Sequence, residues 1–269
     1  MVFVKKLFLW AMLLALCLTA CSQSPQSAAT PSPALSPSPT AAAPSPTPTS
    51  SPALSPSEEL KELWGFPIDD THDAFEVDTG GKLGTVLVTV EIETIDAEEY
   101  QFSVWTKNDL KTPLQTMTAE SYGVFHRGGA LDANFDGYMD FGYMYAMGNQ
   151  PMYYHYWIWN EDEGQFIQEP EFDQISMPDF DPETGVISGY ARNGFAGAAG
   201  TTTFHRWIDG KLTCIRKIET CPYGGDIDNV CLTVEEPVDG VLTVIYQHET
   251  DIGTAFEEVE KWSDLSYHG

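Results

Sequence analysis

The sequence is short of positive charge. Its 269 residues include 13 Lys and Arg against 40 Asp and Glu, which gives a formal net charge of −27 at pH 7. A surface of this sign repels phosphate groups, so nucleic acid and anionic lipid headgroups are poor direct partners. The balance favours cations or a basic protein as partners, although an acidic surface also simply keeps a protein soluble.

Signatures of catalysis are missing as well. The chain has no G-x-S-x-G elbow and no H-E-x-x-H, and its six histidines are scattered without paired spacing for zinc. Forty carboxylates produce acidic pairs by chance, and none stands in a recognisable glycosidase setting. We therefore expect a protein that is not an enzyme and works by binding.

Long apolar segments are absent except at the start. Residues 7–16 are apolar and follow Lys5 and Lys6, a stretch too short to span a bilayer and typical of an export signal. The next residues, L-T-A-C ending at Cys21, resemble the bacterial lipobox. This resemblance implies a signal peptide at 1–20 and acyl chains on Cys21 that hold the protein on the extracytoplasmic face of the cell membrane. An ordinary cleaved signal is the alternative.

Residues 22–57 contain no charged residue and ten prolines. Such a Ser/Pro/Ala/Thr-rich stretch buries too little apolar surface to fold, and its prolines favour extended polyproline II. We therefore expect a lipidated, disordered tether at 21–57. The folded domain then occupies 58–269, which is long enough for one sizeable core.

Alternation and turn pairs predict strands almost throughout the domain. Asp209-Gly210 and Asp239-Gly240 suit tight hairpin turns between apolar runs, and further hairpins are predicted from 85–95 to 100–105 and from 153–159 to 165–168. Residues 58–64 show helical periodicity and 256–262 are ambiguous. We expect an all-β, antiparallel meander, propeller-like, with a β-sandwich as the alternative.

One motif carries recognisable chemistry, D-x-N-x-D-G-x-x-D, and it consists of Asp132, Asn134, Asp136, Gly137, Tyr138 and Asp140. Alternate positions supply three side-chain oxygens, the glycine permits a sharp bend, and the Tyr138 carbonyl and Asp140 follow at positions 7 and 9 of a calcium loop. Position 12 is Tyr143, so the bidentate Glu of an EF-hand is absent. An Asx-rich turn without metal is the alternative.

The motif is similar to the shorter calcium loops between strands in integrin-type FG-GAP repeats. That resemblance implies one structural Ca²⁺ held by Asp132, Asn134, Asp136 and Asp140 with the Tyr138 carbonyl. Together with the strand at 153–159 and Gly164-Gln165-Phe166, residues 129–218 resemble periplasmic immunity lipoproteins that inhibit secreted lysozyme-like toxins. This implies a propeller-like inhibitor of a cell-wall hydrolase. Lysozyme inhibitors present Ser-Gly-x-Tyr, whereas Ser188-Gly189-Tyr190 lacks the spacer, so no inhibitory residue is assigned.

Two other segments are candidates for binding. Residues 192–200 form a glycine-rich segment around Phe195, either a binding loop or a tight packing turn. The aromatic strand supports an alternative function as a cell-surface glycan-binding module, unless its rings are core; an accessory lipoprotein role is a third possibility. The rings are Tyr153, Tyr154, Tyr156, Trp157 and Trp159.

Three cysteines remain in the domain, which lies in an oxidising compartment if the protein is exported. Cys221 and Cys231 lie on either side of Gly224-Gly225 and are the preferred disulfide pair, closing a short loop. Cys214 with Cys231 is the alternative pairing.

Overall fold

Fourteen β-strands dominate the part of the chain that the computed structural model describes, namely residues 69, 71–92, 98–123, 127–148, 151–224 and 226–269. The predicted signal peptide, Cys21, the tether and the helical periodicity at 58–64 lie outside these residues.

The strands form three antiparallel sheets whose order follows the chain. The first sheet contains β1 (His72–Asp78), β2 (Thr85–Glu91), β3 (Glu99–Thr106) and β4 (Gln115–Glu120). The second contains β5 (Gly128–Leu131), β6 (Asp140–Met147), β7 (Met152–Asn160) and β8 (Gln165–Gln168). The third contains β9 (Asp179–Asp181), β10 (Val186–Arg192), β11 (Gly200–Ile208), β12 (Lys211–Tyr223), β13 (Asp226–Val238) and β14 (Val241–Asp251). The prediction of an all-β, antiparallel meander is confirmed. None of the three sheets closes on itself. The observed architecture is therefore also consistent with the β-sandwich alternative.

The two predicted Asp-Gly turns are present. Asp209 and Gly210 have φ of 52° and 74°, and Asp239 and Gly240 have φ of 52° and 80°. Positive φ at both central residues is the type I′ geometry, whose twist matches that of the flanking strands. The turns therefore fix the registers of β11 with β12 and of β13 with β14.

The ambiguous segment at 256–262 belongs to a helix, α1 (Ile252–Ser263). Asp251 caps its N-terminus, accepting a hydrogen bond of 3.0 Å from the Thr254 N–H. Ala255 and Trp262 are buried on the helix face that packs against the third sheet. Within the described residues, every helix is too short or too polar to cross a membrane.

The second sheet packs on both faces. On one face Trp157 and Trp159 join a core with valines and aromatic rings of the first sheet. On the other face Tyr156 packs with Phe172, from a 3₁₀ turn at Pro170–Gln174, and with residues of the third sheet. A third cluster lies between the third sheet and α1. Strands with two buried faces explain why β7 is aromatic along most of its length.

Candidate functional site

The predicted calcium loop connects β5 to β6 and is organised by its own side chains. The Asp132 carboxylate accepts hydrogen bonds from the Asp136 N–H at 3.1 Å and the Gly137 N–H at 2.9 Å. Asn134 Oδ1 also accepts from the Asp136 N–H, at 3.1 Å, and Asp136 Oδ1 accepts from the Tyr138 N–H at 2.9 Å. The loop thus gathers Asp132, Asn134 and Asp136 around one tight reversal.

Asp140 has a different environment from the other acidic residues of the loop. It is completely buried, and its two oxygens accept from the Ala133 N–H at 2.8 Å and the Trp159 N–H at 2.7 Å. Burial raises the pKa of Asp140 to about 7, the charges of Asp136 and Asp132 add to that effect, and the two N–H donors oppose it. Asp140 therefore ties the loop to β7 at the cost of desolvating a carboxylate.

The residues of this loop fit a hard cation in donor chemistry. Asp132, Asn134, Asp136 and Asp140 all offer oxygen, the donor that Ca²⁺ requires. Among the described residues, no Lys or Arg forms an ion pair with any of the three carboxylates. In the same part of the chain, no group of three His, Cys, Asp or Glu side chains converges as a ready metal site. The calcium site stays a prediction.

A cleft of about 650 Å³ opens beside this loop. Trp159 and Trp207 line it, and the Trp207 indole donates to the Ala133 carbonyl at 3.0 Å, which connects β11 to the calcium loop. Apart from Tyr138, the ionisable residues that line the cleft are all acidic, and they are Asp136, Glu161, Asp162 and Glu169. Sequence reasoning missed Trp207, whose one signal is its position two residues before the Asp209-Gly210 turn.

The aromatic strand is mostly core. Tyr156, Trp157 and Trp159 are buried, and Trp157 stacks on Phe141 with ring centroids 4.8 Å apart. These rings contribute packing energy and present no stacking platform for a sugar. Tyr153 and Tyr154 of the same strand are half-buried, so the glycan-binding alternative rests on these two rings and stays a prediction.

The segment at 192–200 contains the connection between β10 and β11, which we call the aromatic loop (residues 193–199). Four consecutive residues have positive φ, 105° at Gly194, 50° at Phe195, 54° at Ala196 and 101° at Gly197. Left-handed geometry costs a residue with a Cβ roughly 1–2 kcal/mol. The loop therefore holds backbone strain at two adjacent positions, which no sequence pattern indicated beyond the two flanking glycines.

The base of the aromatic loop is closed and its tip is open. The Asn193 N–H donates to the Ala199 carbonyl at 2.9 Å, and the Asn193 amide donates to Thr201 Oγ1 at 2.8 Å. Ala198 and Ala199 are buried, whereas Phe195 is 60% exposed. The loop thus presents one large aromatic side chain on a preset backbone.

Cys221 and Cys231 lie directly opposite each other on β12 and β13. Opposed residues of antiparallel strands have Cα separations within the range that a disulfide requires. Both are free thiols in the structure, as is Cys214, so the Cys221–Cys231 disulfide stays a prediction. Cys214 lies opposite His205 of β11 in the strand register. Burial raises the pKa of the Cys214 thiol.

The fold defines an all-β protein of three stacked meanders. Comparison with known proteins assigns it to no family. No protein-family model and no curated protein matches the sequence. A solved structure described as a Xanthomonas type IV secretion system related protein aligns with a TM-score of 0.43 and 13% sequence identity. The alignment covers 64% of this chain and 93% of that one.

Proposed function

We propose that this chain is an extracytoplasmic lipoprotein, anchored through Cys21, that binds and inhibits a lysozyme-like cell-wall hydrolase. The observation that carries the proposal is the aromatic loop. Strained backbone that is retained in a folded protein concentrates at functional sites, and aromatic side chains, Phe among them, are enriched at the centre of protein interfaces. Preorganisation lowers the entropy lost on binding.

Charge supports a basic partner. The net charge of −27 attracts cationic proteins over distances of about a Debye length, and complementary charge raises association rates. Lysozyme-like hydrolases are commonly basic, which suits such a surface. The lipobox and the uncharged tether would hold the domain outside the membrane, where cell-wall hydrolases act.

In this proposal calcium has a structural role. Asp132, Asn134 and Asp136 would hold the ion with the Tyr138 carbonyl, and Asp140 would contribute from the base of the loop. A bound Ca²⁺ supplies positive charge that offsets the repulsion among these carboxylates. The loop leads directly into β6, which begins at Asp140, and its residues Asn134, Asp136 and Tyr138 line the acidic cleft.

The test is inhibition of a lysozyme-like enzyme on a peptidoglycan suspension by the purified chain. We expect inhibition by the parent, and a loss of at least about 30-fold in potency for Phe195→Ser, because a hot-spot ring contributes about 2 kcal/mol or more. Tyr122→Ser is the matched control, since Tyr122 is an aromatic residue 73% exposed elsewhere on the chain.

An equal loss of potency in both variants would contradict a role for the aromatic loop. Absence of inhibition, with retention of the chain on insoluble cell wall and release by soluble sugar, would favour glycan binding instead.

A further inference from the structure

The acidic cleft beside the calcium loop has the size of a ligand site. One side of it comes from that loop and from the β7–β8 hairpin with the residue that follows, and the other side comes from Trp207 and Gly210 of the third sheet. Its volume of about 650 Å³ lies within the range of about 300–1,000 Å³ that small-molecule sites occupy. The aromatic loop does not line it, so the cleft is separate from the surface assigned above to the hydrolase.

Two tryptophans are held in the cleft wall by their own indole N–H groups. Trp159 Nε1 donates to Glu161 Oε2 at 3.1 Å, and Trp207 Nε1 donates to the Ala133 carbonyl at 3.0 Å. Trp207 is half-buried, and Ile167, another lining residue, is 43% exposed. With both indole donors engaged inside the protein, these side chains offer a ligand apolar and π surface, which suits an organic group better than a bare metal ion.

The polar lining is rich in acceptors and poor in donors. The Asn134 amide donates to Asp136 at 2.7 Å, and the Gln168 amide nitrogen lies 3.2 Å from His155 Nδ1. The donors left to a ligand are the Asn160 amide and the Tyr138 hydroxyl, against four carboxylates. A ligand of this cleft must therefore bring hydrogen-bond donors of its own.

The charge of the lining selects a cation. No Lys, Arg or His lines the cleft in the described part of the chain. Within those residues, its four carboxylates also form no ion pair with Lys or Arg. Carboxylates in a concave site with low-dielectric walls raise the local concentration of cations, and a cation over an indole ring is attracted to its face.

We propose that this cleft binds an organic cation with an apolar stem, the chemistry of an arginine side chain. A guanidinium supplies several N–H donors in a planar fork that matches carboxylates, and its plane stacks on aromatic rings. Its methylene stem covers apolar surface such as that of Ile167. A neutral ligand would leave the carboxylates without a counter-charge. The inference does not rest on hydrolase inhibition, which the aromatic loop carries.

Isothermal titration calorimetry of the full chain with N-acetylarginine amide tests the proposal. Saturating calcium occupies the predicted metal loop, and salt at about 0.15 M screens diffuse attraction to the acidic surface. We expect saturable binding with a dissociation constant near about 1 mM, as for other ligands of this size. N-acetylcitrulline amide has nearly the same shape without the charge and should bind at least about tenfold more weakly.

Paired substitutions place the binding in the cleft. Glu161→Gln with Glu169→Gln should weaken binding at least about tenfold, because two carboxylates are lost while each Gln keeps an oxygen for the hydrogen bonds that Glu161 and Glu169 accept. Glu163→Gln with Glu171→Gln is the matched control. It removes the same charge from exposed residues outside the lining and should bind like the parent. Equal melting temperatures would show that both double variants fold.

A second matched pair adds a charge instead. Ile167→Lys places an ammonium group in the cleft and should abolish binding, whereas Ile208→Lys, at an isoleucine 46% exposed outside the lining, should not. A capped Gly-Gly-Arg-Gly-Gly peptide distinguishes the sources of the cation. Binding of both probes would mean that an arginine of a protein fits, and binding of N-acetylarginine amide alone would restrict the ligand to a free small cation.

Three results would overturn the proposal. The first is the absence of saturable binding by the parent up to about 10 mM N-acetylarginine amide. The second is equal binding of the citrulline derivative, which would show that the charge is not recognised. The third is an equal loss in the two double variants, which would place the binding outside the cleft.

Discussion

Arg216 places a full positive charge inside the third sheet, where it is 2% exposed. Its guanidinium donates to the carbonyls of Trp262 at 2.7 Å, Asp264 at 3.0 Å and Tyr267 at 2.9 Å, and it pairs with the Glu236 carboxylate. The charge is thus fully hydrogen-bonded, and it connects β12 to the end of α1 and the residues that follow.

Replacement of this arginine should be severe. We expect Arg216→Met to lower the free energy of unfolding by about 3–5 kcal/mol, because it leaves buried carbonyls and Glu236 without their partner. Chemical denaturation measures the loss. Arg206→Met, on an exposed arginine of β11, should cost less than about 0.5 kcal/mol. Similar losses in the two variants would contradict the network.

His205 should make the fold sensitive to acid. Its Nδ1 is buried and has no hydrogen-bond partner among the described residues, and burial lowers the pKa of His205 to about 4 despite a backbone hydrogen bond at Ile187. The unfolded histidine titrates near 6.5, so between these values the unfolded state binds the proton. The contribution of neutral His205 to the free energy of unfolding is therefore complete above pH 6.5. It is lost progressively as the pH falls toward 4, by up to about 3 kcal/mol.

His205→Gln should reduce that slope when the free energies of unfolding at pH 7 and pH 4.5 are compared with the parent. His268→Gln, at an exposed position, should keep the parent's slope. An unchanged slope in His205→Gln would assign the acid sensitivity to other groups.

The loop at 132–140 and the aromatic loop hold their backbones in opposite ways. The calcium loop recruits its own backbone N–H groups with carboxylate and amide oxygens. The aromatic loop instead holds Phe195 and Ala196 in left-handed geometry and is closed by hydrogen bonds at its base. The first gathers side-chain oxygens around the backbone, and the second displays an exposed side chain.

The strain in the aromatic loop predicts a stabilising substitution. Ala196→Gly removes the Cβ from a residue with φ of 54°, so we expect a gain of up to about 1 kcal/mol after the entropy cost of glycine. Ala191→Gly, in the regular strand β10, should lose about 0.5–1 kcal/mol. Thermal denaturation distinguishes the signs. A loss in Ala196→Gly would mean that the loop is not strained in solution.

Local sequence predicted those elements whose signals are local. Asp209-Gly210 and Asp239-Gly240 fixed two hairpins because few residue pairs suit a type I′ turn. The helix α1 stayed ambiguous because Gly253 and Thr254 weaken its first turn, and the capping role of Asp251 depends on where β14 ends. The left-handed pair Phe195-Ala196 could not be predicted, since neither residue favours that geometry.

Packing of the first sheet against the second depends on a small residue at one close contact. Gly128 of β5 lies against the rings of Tyr143 and of Phe75, which belongs to β1. A Cβ there would be 2.8 Å from Phe75 and would overlap the Tyr143 ring, whereas Gly129 has open space at the same position. The contact between the first two sheets therefore requires glycine at 128.

Gly128→Ala should lower the free energy of unfolding by about 1–3 kcal/mol through overpacking. Gly129→Ala should be within about 0.5 kcal/mol of the parent or on the stable side. Urea titration of both variants measures the difference. Equal effects would indicate that the first two sheets are less tightly packed than the structure has them.

These long-range contacts are what the sequence could not provide. The alternation along β7 predicted a strand, but it did not tell which of its rings face the first sheet and which face the third. Trp207 reaches the Ala133 carbonyl across 74 positions of sequence. Such contacts follow from the order in which the sheets stack.

The proposed stabilisation of this domain by calcium is measured by the melting temperature during calcium titration of the metal-stripped chain. We predict a rise of about 5–10 °C at saturating calcium, since a hundredfold excess over Kd contributes about 2.7 kcal/mol. The rise should vanish in Asp136→Ala and persist in Asp162→Ala, an exposed acid of the same cleft outside the motif. No rise in the parent, or an equal rise in Asp136→Ala, would rule out a structural calcium ion in this loop.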